Sequence, residues 1–162
     1  MPRGGDGCGC RGAARARLRN GRSVAYYIFN LVPGDASRRE HAMARIRIGL
    51  WGVDTDEPHR SALAAGDPVL IYLGAPERMF VGRAAIASAV HEWTPSEAAM
   101  YPGDSPAGVA LAEVEEWEPT VPMSAVLSQI DQSEGARADF EAGVVRITAN
   151  EYETALAVAA GR

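Results

Sequence analysis

The body of the chain opens on Val24 to Leu31, VAYYIFNL, an almost unbroken apolar and aromatic run stopped by Pro33-Gly34-Asp35. With no polar alternation, the run predicts a strand buried on both faces, in the middle of a sheet or barrel. Ser37-Arg38-Arg39-Glu40 then has the form of a capping box, and Met43, Ile46 and Leu50 follow at helical spacing. A helix of about three turns is predicted there, with Arg38, Arg39, His41 and Arg45 mostly outward. After Leu50-Trp51-Gly52-Val53 and a polar loop, Pro58 and Gly66 bracket a short helix from His59 to Ala65. Two further apolar runs, Pro68 to Leu73 and Met79 to His91, predict an antiparallel strand pair, with a bulge or a close backbone approach at Gly82. Thr94 to Pro106 carries Pro95, Pro102, Gly103 and Pro106 and reads as a loop. The strand that follows, Val109 to Trp117, changes the parity of its apolar positions between Leu111 and Val114, so it must bulge or curve. Pro122 then opens a helix with Met123, Val126, Leu127 and Ile130 on one face, and Gly143 to Ile147 is a short strand. Thr148-Ala149-Asn150-Glu151 is a second capping box, opening a last helix with Tyr152, Leu156 and Ala159 inward.

This order lacks the regular alternation of a doubly wound sheet, and no glycine-rich phosphate loop follows the first strand. It predicts an α+β protein: a small, curved, mixed or antiparallel barrel with helices at its rim, in one domain over residues 23 to 162. The chain's 162 residues, 47% hydrophobic, suffice for one such core without disulfides or metal. No apolar run reaches the roughly 18 residues of a membrane span, and no apolar segment follows the basic N-terminus, so a cytoplasmic protein without a membrane partner is expected.

Charge changes the picture more than composition does. The net charge of −5 divides into +5 over residues 1 to 22, with six arginines against Asp6, and −10 over the rest. Residues 23 to 91 hold seven arginines and seven acids, whereas residues 92 to 162 hold thirteen acids and three arginines. All 16 bases are arginine, which reads first as the codon bias of a GC-rich, bacterial genome. The Gly/Arg-rich stretch 1 to 22 has too few bulky apolar residues to order itself, and is expected to be a disordered tail. Its Cys8-x-Cys10 has no second pair and no nearby histidine, so two free thiols are expected rather than a zinc site. Val24 stands where an alternative start codon would begin the folded body, and intact mass from the native host decides whether residues 1 to 23 are made. The acidic cluster Glu113, Glu115, Glu116 and Glu118 should repel nucleic acid, so a binding face is expected on the opposite side of the barrel.

Several segments together resemble a known family. They are Ala25-Tyr26-Tyr27-Ile28-Phe29-Asn30, Leu50 to Val53, Gly66-Asp67 before a strand ending near Tyr72, and Phe80-Val81-Gly82-Arg83-Ala84. Trp117-x-Pro119, Val121-Pro122, and Gly143 to Ile147 followed by Tyr152 continue the match. In order and spacing they resemble the EVE domain, of the PUA-like superfamily related to YTH domains, over roughly residues 24 to 158. The resemblance implies a small barrel with an aromatic pocket for a modified base, modified cytosine in DNA first and RNA second. It implies Trp51 as the principal pocket residue, with Tyr27, Asn30 and Val53 beside it, and Asp54-Thr55 where many members continue with Arg and Asn. An acid at that place disfavours a phosphate and can accept from a base amino group.

Each candidate also has a plainer reading. Trp51 either lines a pocket or plugs the barrel end, while Tyr27 and Tyr72 suit the core as well as a ligand. Tyr27 and Asn30 point to opposite faces of a regular strand and share a pocket only if it ends or bends near Asn30. Arg83 either lines a ligand groove or pairs with an acid, and Trp93 either walls the pocket or covers the barrel. Arg38, Arg39 and Arg45, with Arg47, either grip phosphates or form a solvated helix face. His41, His59 and His91 have no metal-ligand spacing, and no hydrolase elbow, zincin motif or Walker loop is present. A non-catalytic reader of a modified base is therefore the first expectation, with no cofactor or metal. A small-molecule or nucleotide sensor and a small nucleotide-acting enzyme are the alternatives.

Overall fold

A computed structural model of the protein describes residues 21–31, 38–130 and 143–161. Most of the basic tail, its two cysteines and the Ser37 half of the first capping box lie outside the described residues.

The first apolar run forms β1 (Tyr26–Leu31), which pairs in parallel with β3 (Pro68–Leu73) and antiparallel with β7 (Val144–Ile147). β3 continues antiparallel to β4 (Met79–Ile86), and β4 to the 16-residue β6 (Ala107–Pro122). The near half of β6 also carries the short strands β2 (Leu50–Gly52) and β5 (His91–Glu92). The sheet order is thus β2-β6-β4-β3-β1-β7, mixed and curled, with β5 on β6. Burial on both faces explains the unbroken apolar runs. On β1 and β3, Tyr27, Phe29, Val69 and Ile71 enter one core, while Ile28, Leu70 and Tyr72 enter a second core across the sheet. Helix α1 (Arg38–Ile48) supplies Ala42, Met43 and Ile46 to the first. Helices α3 (Met123–Leu127) and α4 (Ala149–Ala160) cover the second through Met123, Val126, Tyr152 and Ala155.

Local signals explain the ends of these elements. The Thr148 hydroxyl accepts from the Glu151 N–H while the Glu151 carboxylate accepts from the Thr148 N–H, so the second capping box forms as its residues predict. The parity change in β6 is a register shift at which Glu113 takes φ 52°, and Gly82 sits at a second shift in β4.

Three segments differ from the pattern. The run 79 to 91 breaks after Ile86, and His91 pairs separately with Gly108, because β6 bends away from β4 and leaves an edge for β5. The helix expected at 59 to 65 is only a 3-10 turn, Arg60–Ala62, since Leu63 is already extended and turns into the core. Within the presumed loop 94 to 106, α2 (Pro95–Met100) forms, capped by the Thr94 hydroxyl accepting from the Glu97 N–H. Thr94-Pro95-x-Glu97 is itself a helix-start signal, outweighed in the sequence by the prolines around it. Among the described residues, no helix is long and apolar enough to cross a membrane.

Candidate functional site

A cavity of about 190 Å³ opens where the end of β1, β2, α1, the segment after α2 and the start of β7 converge. Asn30 and Leu31 come from β1, Trp51 and Gly52 from β2, Arg45 from α1, Tyr101 and Ser105 from the segment after α2, and Asp54 and Glu57 from the polar loop. Trp51 is 2% exposed. One side of its ring stacks on Phe29, with centroids 5.6 Å apart and planes 25° from parallel. Over the ring stands the Arg45 guanidinium, 5.2 Å from the Trp51 centroid and 5.3 Å from that of Tyr101. The tryptophan is therefore core and cavity wall at once.

A string of hydrogen bonds fixes the rim. The Gly52 N–H donates to the Tyr101 hydroxyl at 2.9 Å, and Ser105 Oγ donates to Asp54 Oδ1 at 3.1 Å. Gly52 permits this approach, since a Cβ there would stand 2.4 Å from the Tyr101 oxygen and 2.6 Å from the Ser105 Cβ. Burial raises the Tyr101 phenol above its ordinary pKa, so it stays neutral. Burial likewise raises the Glu57 carboxyl, opposed by the Val144 N–H that donates to it at 3.2 Å. The cavity thus faces a ligand with aromatic surface, one guanidinium and two carboxyl groups.

The other sequence candidates are dispersed. Tyr27 is fully buried beside His59 and does not line the cavity: it shares a β1 face with Leu31 but lies four residues before it, away from the strand end where the cavity opens. Val53 is buried in the first core, its N–H donating to Ala107 O. Tyr72 packs on Phe80 in the second core. Arg83 lies across the sheet from the cavity and pairs with Glu115 at 2.8 Å. Trp93 touches Tyr101 from behind, at 5.1 Å between centroids, with its indole N–H donating to Ser105 O.

The arginines of α1 divide. The side chain of Arg38 lies outside the described residues, Arg39 pairs with Glu118 at 3.1 Å, and Arg47 grips Glu116 through two bonds. The acidic cluster does not stand on the far side of the barrel from the arginine helix. Its Glu116 and Glu118 pair with Arg47 and Arg39 of that helix, because β6 runs past α1. Arg45, expected outward, turns into the cavity. Ala42 lies three positions before it and is fully buried, so counting alanine in the inward stripe puts Arg45 on that stripe's flank. Tyr101, Ser105 and Glu57 were not singled out by the sequence. The start signal of α2 places Tyr101 two turns after the Thr94 cap, at the end of that helix, which is the trace it leaves.

A histidine–carboxylate pair also forms. His91 Nε2 is 2.8 Å from Glu97, and the edge of Trp93 meets the His91 ring, but neither His91 nor Glu97 lines the cavity. Hydrogen bonding to Ala89 O and then to Glu97 raises the His91 pKa, while Glu97 is held low by the same bond. The raised histidine contributes stability fully below about pH 6.5, its ordinary value, and loses it as pH rises through the folded value. Thermal melts of the protein should therefore show a fall in Tm above that pH, and Glu97→Gln should flatten it. An unchanged slope in that variant would show that the pair does not clasp α2.

No family model matches the sequence, and no curated protein matches it. Solved structures match the fold. They include Rpa0253 from Rhodopseudomonas palustris (TM-score 0.58, 19% identity, 85% of this chain and 94% of that one). The ASCH protein of Zymomonas mobilis matches at TM-score 0.52 with 10% identity, covering 82% and 94%. Human THYN1, solved in complex with DNA containing 5-methylcytosine, matches at 0.52 with 12% identity, covering 83% and 97%. These likenesses show the fold: the chain shares with the three proteins the mixed, curled α+β arrangement that the EVE resemblance implied. The curled sheet, predicted from the apolar runs, brings the ends of β1 and β2 together at the cavity.

Proposed function

We propose that this PUA-like domain is a non-catalytic nucleic-acid binder that takes one unstacked base into the cavity beside Trp51 and Tyr101. Modified cytosine in DNA is the first ligand and RNA the second. The observation that carries the reading is the junction of two aromatic rings and a guanidinium with Asp54 and Glu57 in one small cavity. At about 190 Å³ it is smaller than the pockets of drug-sized ligands, which begin near ~300 Å³, and so it suits a single heterocycle. A base outside its stack is read on its polar edge, and carboxylates accept from the cytosine amino group. The shared fold with THYN1 supports the same reading.

Fluorescence anisotropy with oligonucleotides differing at one base tests it. Asp54 is exposed, so Asp54→Asn should leave the fold intact while weakening binding to the cytosine-type oligonucleotide by about tenfold. Equal, weak binding to every oligonucleotide would overturn the reading, and tight binding of free nucleosides alone would favour a small-molecule sensor. The comparison needs a chain lacking residues 1–20, because the arginines there add salt-sensitive, non-specific affinity. Arg22 must stay, since it pairs with buried Asp67.

A further inference from the structure

Arg45 differs from its neighbours on α1. Arg39 and Arg47 are exposed and paired with acids of β6, whereas Arg45 is half-buried and makes no ion pair among the described residues. Its Nε is buried without a hydrogen-bond partner. Trp51 and Tyr101 both lie within cation–π distance of its guanidinium. A planar guanidinium donates only in its own plane. Arg45 lines the cavity with both rings against its guanidinium, so the donors a ligand there would meet are the in-plane ones on the cavity side.

We infer that Arg45 reads the base edge and is not a phosphate contact: it donates to the ring nitrogen and carbonyl of a pyrimidine whose amino group is accepted by Asp54 or Glu57. This rests on the proposed base-binding function and names the edge that is read. Among the pyrimidines, an edge with two acceptors at one end and an amino donor at the other is that of cytosine. Thymine and uracil place a carbonyl where cytosine has its amino group, and that oxygen would face a carboxylate. The two carboxylates thus select against them as Arg45 selects for the acceptors.

The test measures anisotropy over a salt series, with single-stranded oligonucleotides carrying cytosine, 5-methylcytosine or thymine at one position. The proteins are wild type, Arg45→Gln and Gly103→Ala. The last keeps every charge, but its new Cβ would stand 2.8 Å from Tyr101 Cε1 and 3.0 Å from Arg45 Nη2, so the Tyr101 ring and the guanidinium against it must shift together. Wild type should prefer either cytosine base to thymine. Both variants should lose roughly tenfold or more of that preference, with the salt slope unchanged. Preference retained in Arg45→Gln with the slope reduced by about one would make Arg45 a phosphate contact and overturn the inference. Wild-type behaviour in both variants would overturn it too, leaving Arg45 a plug. Should Arg45→Gln fail to fold in thermal melts, Gly103→Ala decides on the same criteria. Wild type without base preference would instead sink the base-binding function itself, so the two failures are read from different proteins.

Discussion

Replacing Trp51 with alanine should lower the stability of the domain by about 3–5 kcal/mol, a large share of the roughly 5–15 kcal/mol typical of a folded domain. The ring is 2% exposed, stacks on Phe29 and lies in the same core as Met43, Ile46 and Val109. Its removal opens a void between α1 and the sheet that neither backbone can close. Urea unfolding should show a lower midpoint with little change in slope. A loss under about 1 kcal/mol would mean that the indole is held for a ligand and not for packing. Loss of binding in this variant is accordingly no proof of base stacking, and the substitutions at Asp54, Arg45 and Gly103 carry the functional question.

Asp67 should be nearly as costly to remove. It is fully buried, and its Oδ1 accepts from Arg22 at 2.6 Å and from the Ala25 N–H at 3.2 Å, while Oδ2 accepts from the Ala64 N–H at 3.2 Å. Asp67→Ala leaves two backbone donors and a guanidinium without an acceptor, an expected loss of about 3–5 kcal/mol. Asp67→Asn retains one acceptor oxygen and should lose less. Truncation through Arg22 should lose least, because that side chain is already 35% exposed and its partner keeps two N–H donors. Thermal melts of the three proteins rank these outcomes. A truncation as damaging as Asp67→Ala would show that the ion pair, rather than the backbone bonds, ties β1 to β3.

Much of the architecture was legible because it depends on local rules. Doubly buried strands appear as apolar runs, the Thr148 cap as its capping box, and the bend in β6 as a change of parity. Boundaries were less secure where two signals competed, as at α2, whose Thr94 cap lies among prolines. The site was only partly readable. Trp51 and Asn30 were singled out for a pocket and do meet at the cavity, Arg45 joins them although it was expected on the outward face of α1, and Tyr27, Val53, Tyr72 and Arg83 lie elsewhere. The roles of Tyr101 and Ser105 were not legible because they reach Gly52 and Asp54, respectively, across about fifty positions of chain through hydrogen bonds that no spacing encodes.

By itself, the sequence determined which segments must be buried and on how many faces, since hydrophobic periodicity is set residue by residue. It also determined a charge distribution with acids concentrated in the second half. Only the tertiary structure decided what those charges meet. The path of β6 beside α1 pairs Glu116 and Glu118 with Arg47 and Arg39, while Arg45 points into the cavity. Such pairings join residues about seventy to eighty positions apart, and at that separation the folded path of the chain, not local pattern, brings the partners within Coulombic reach.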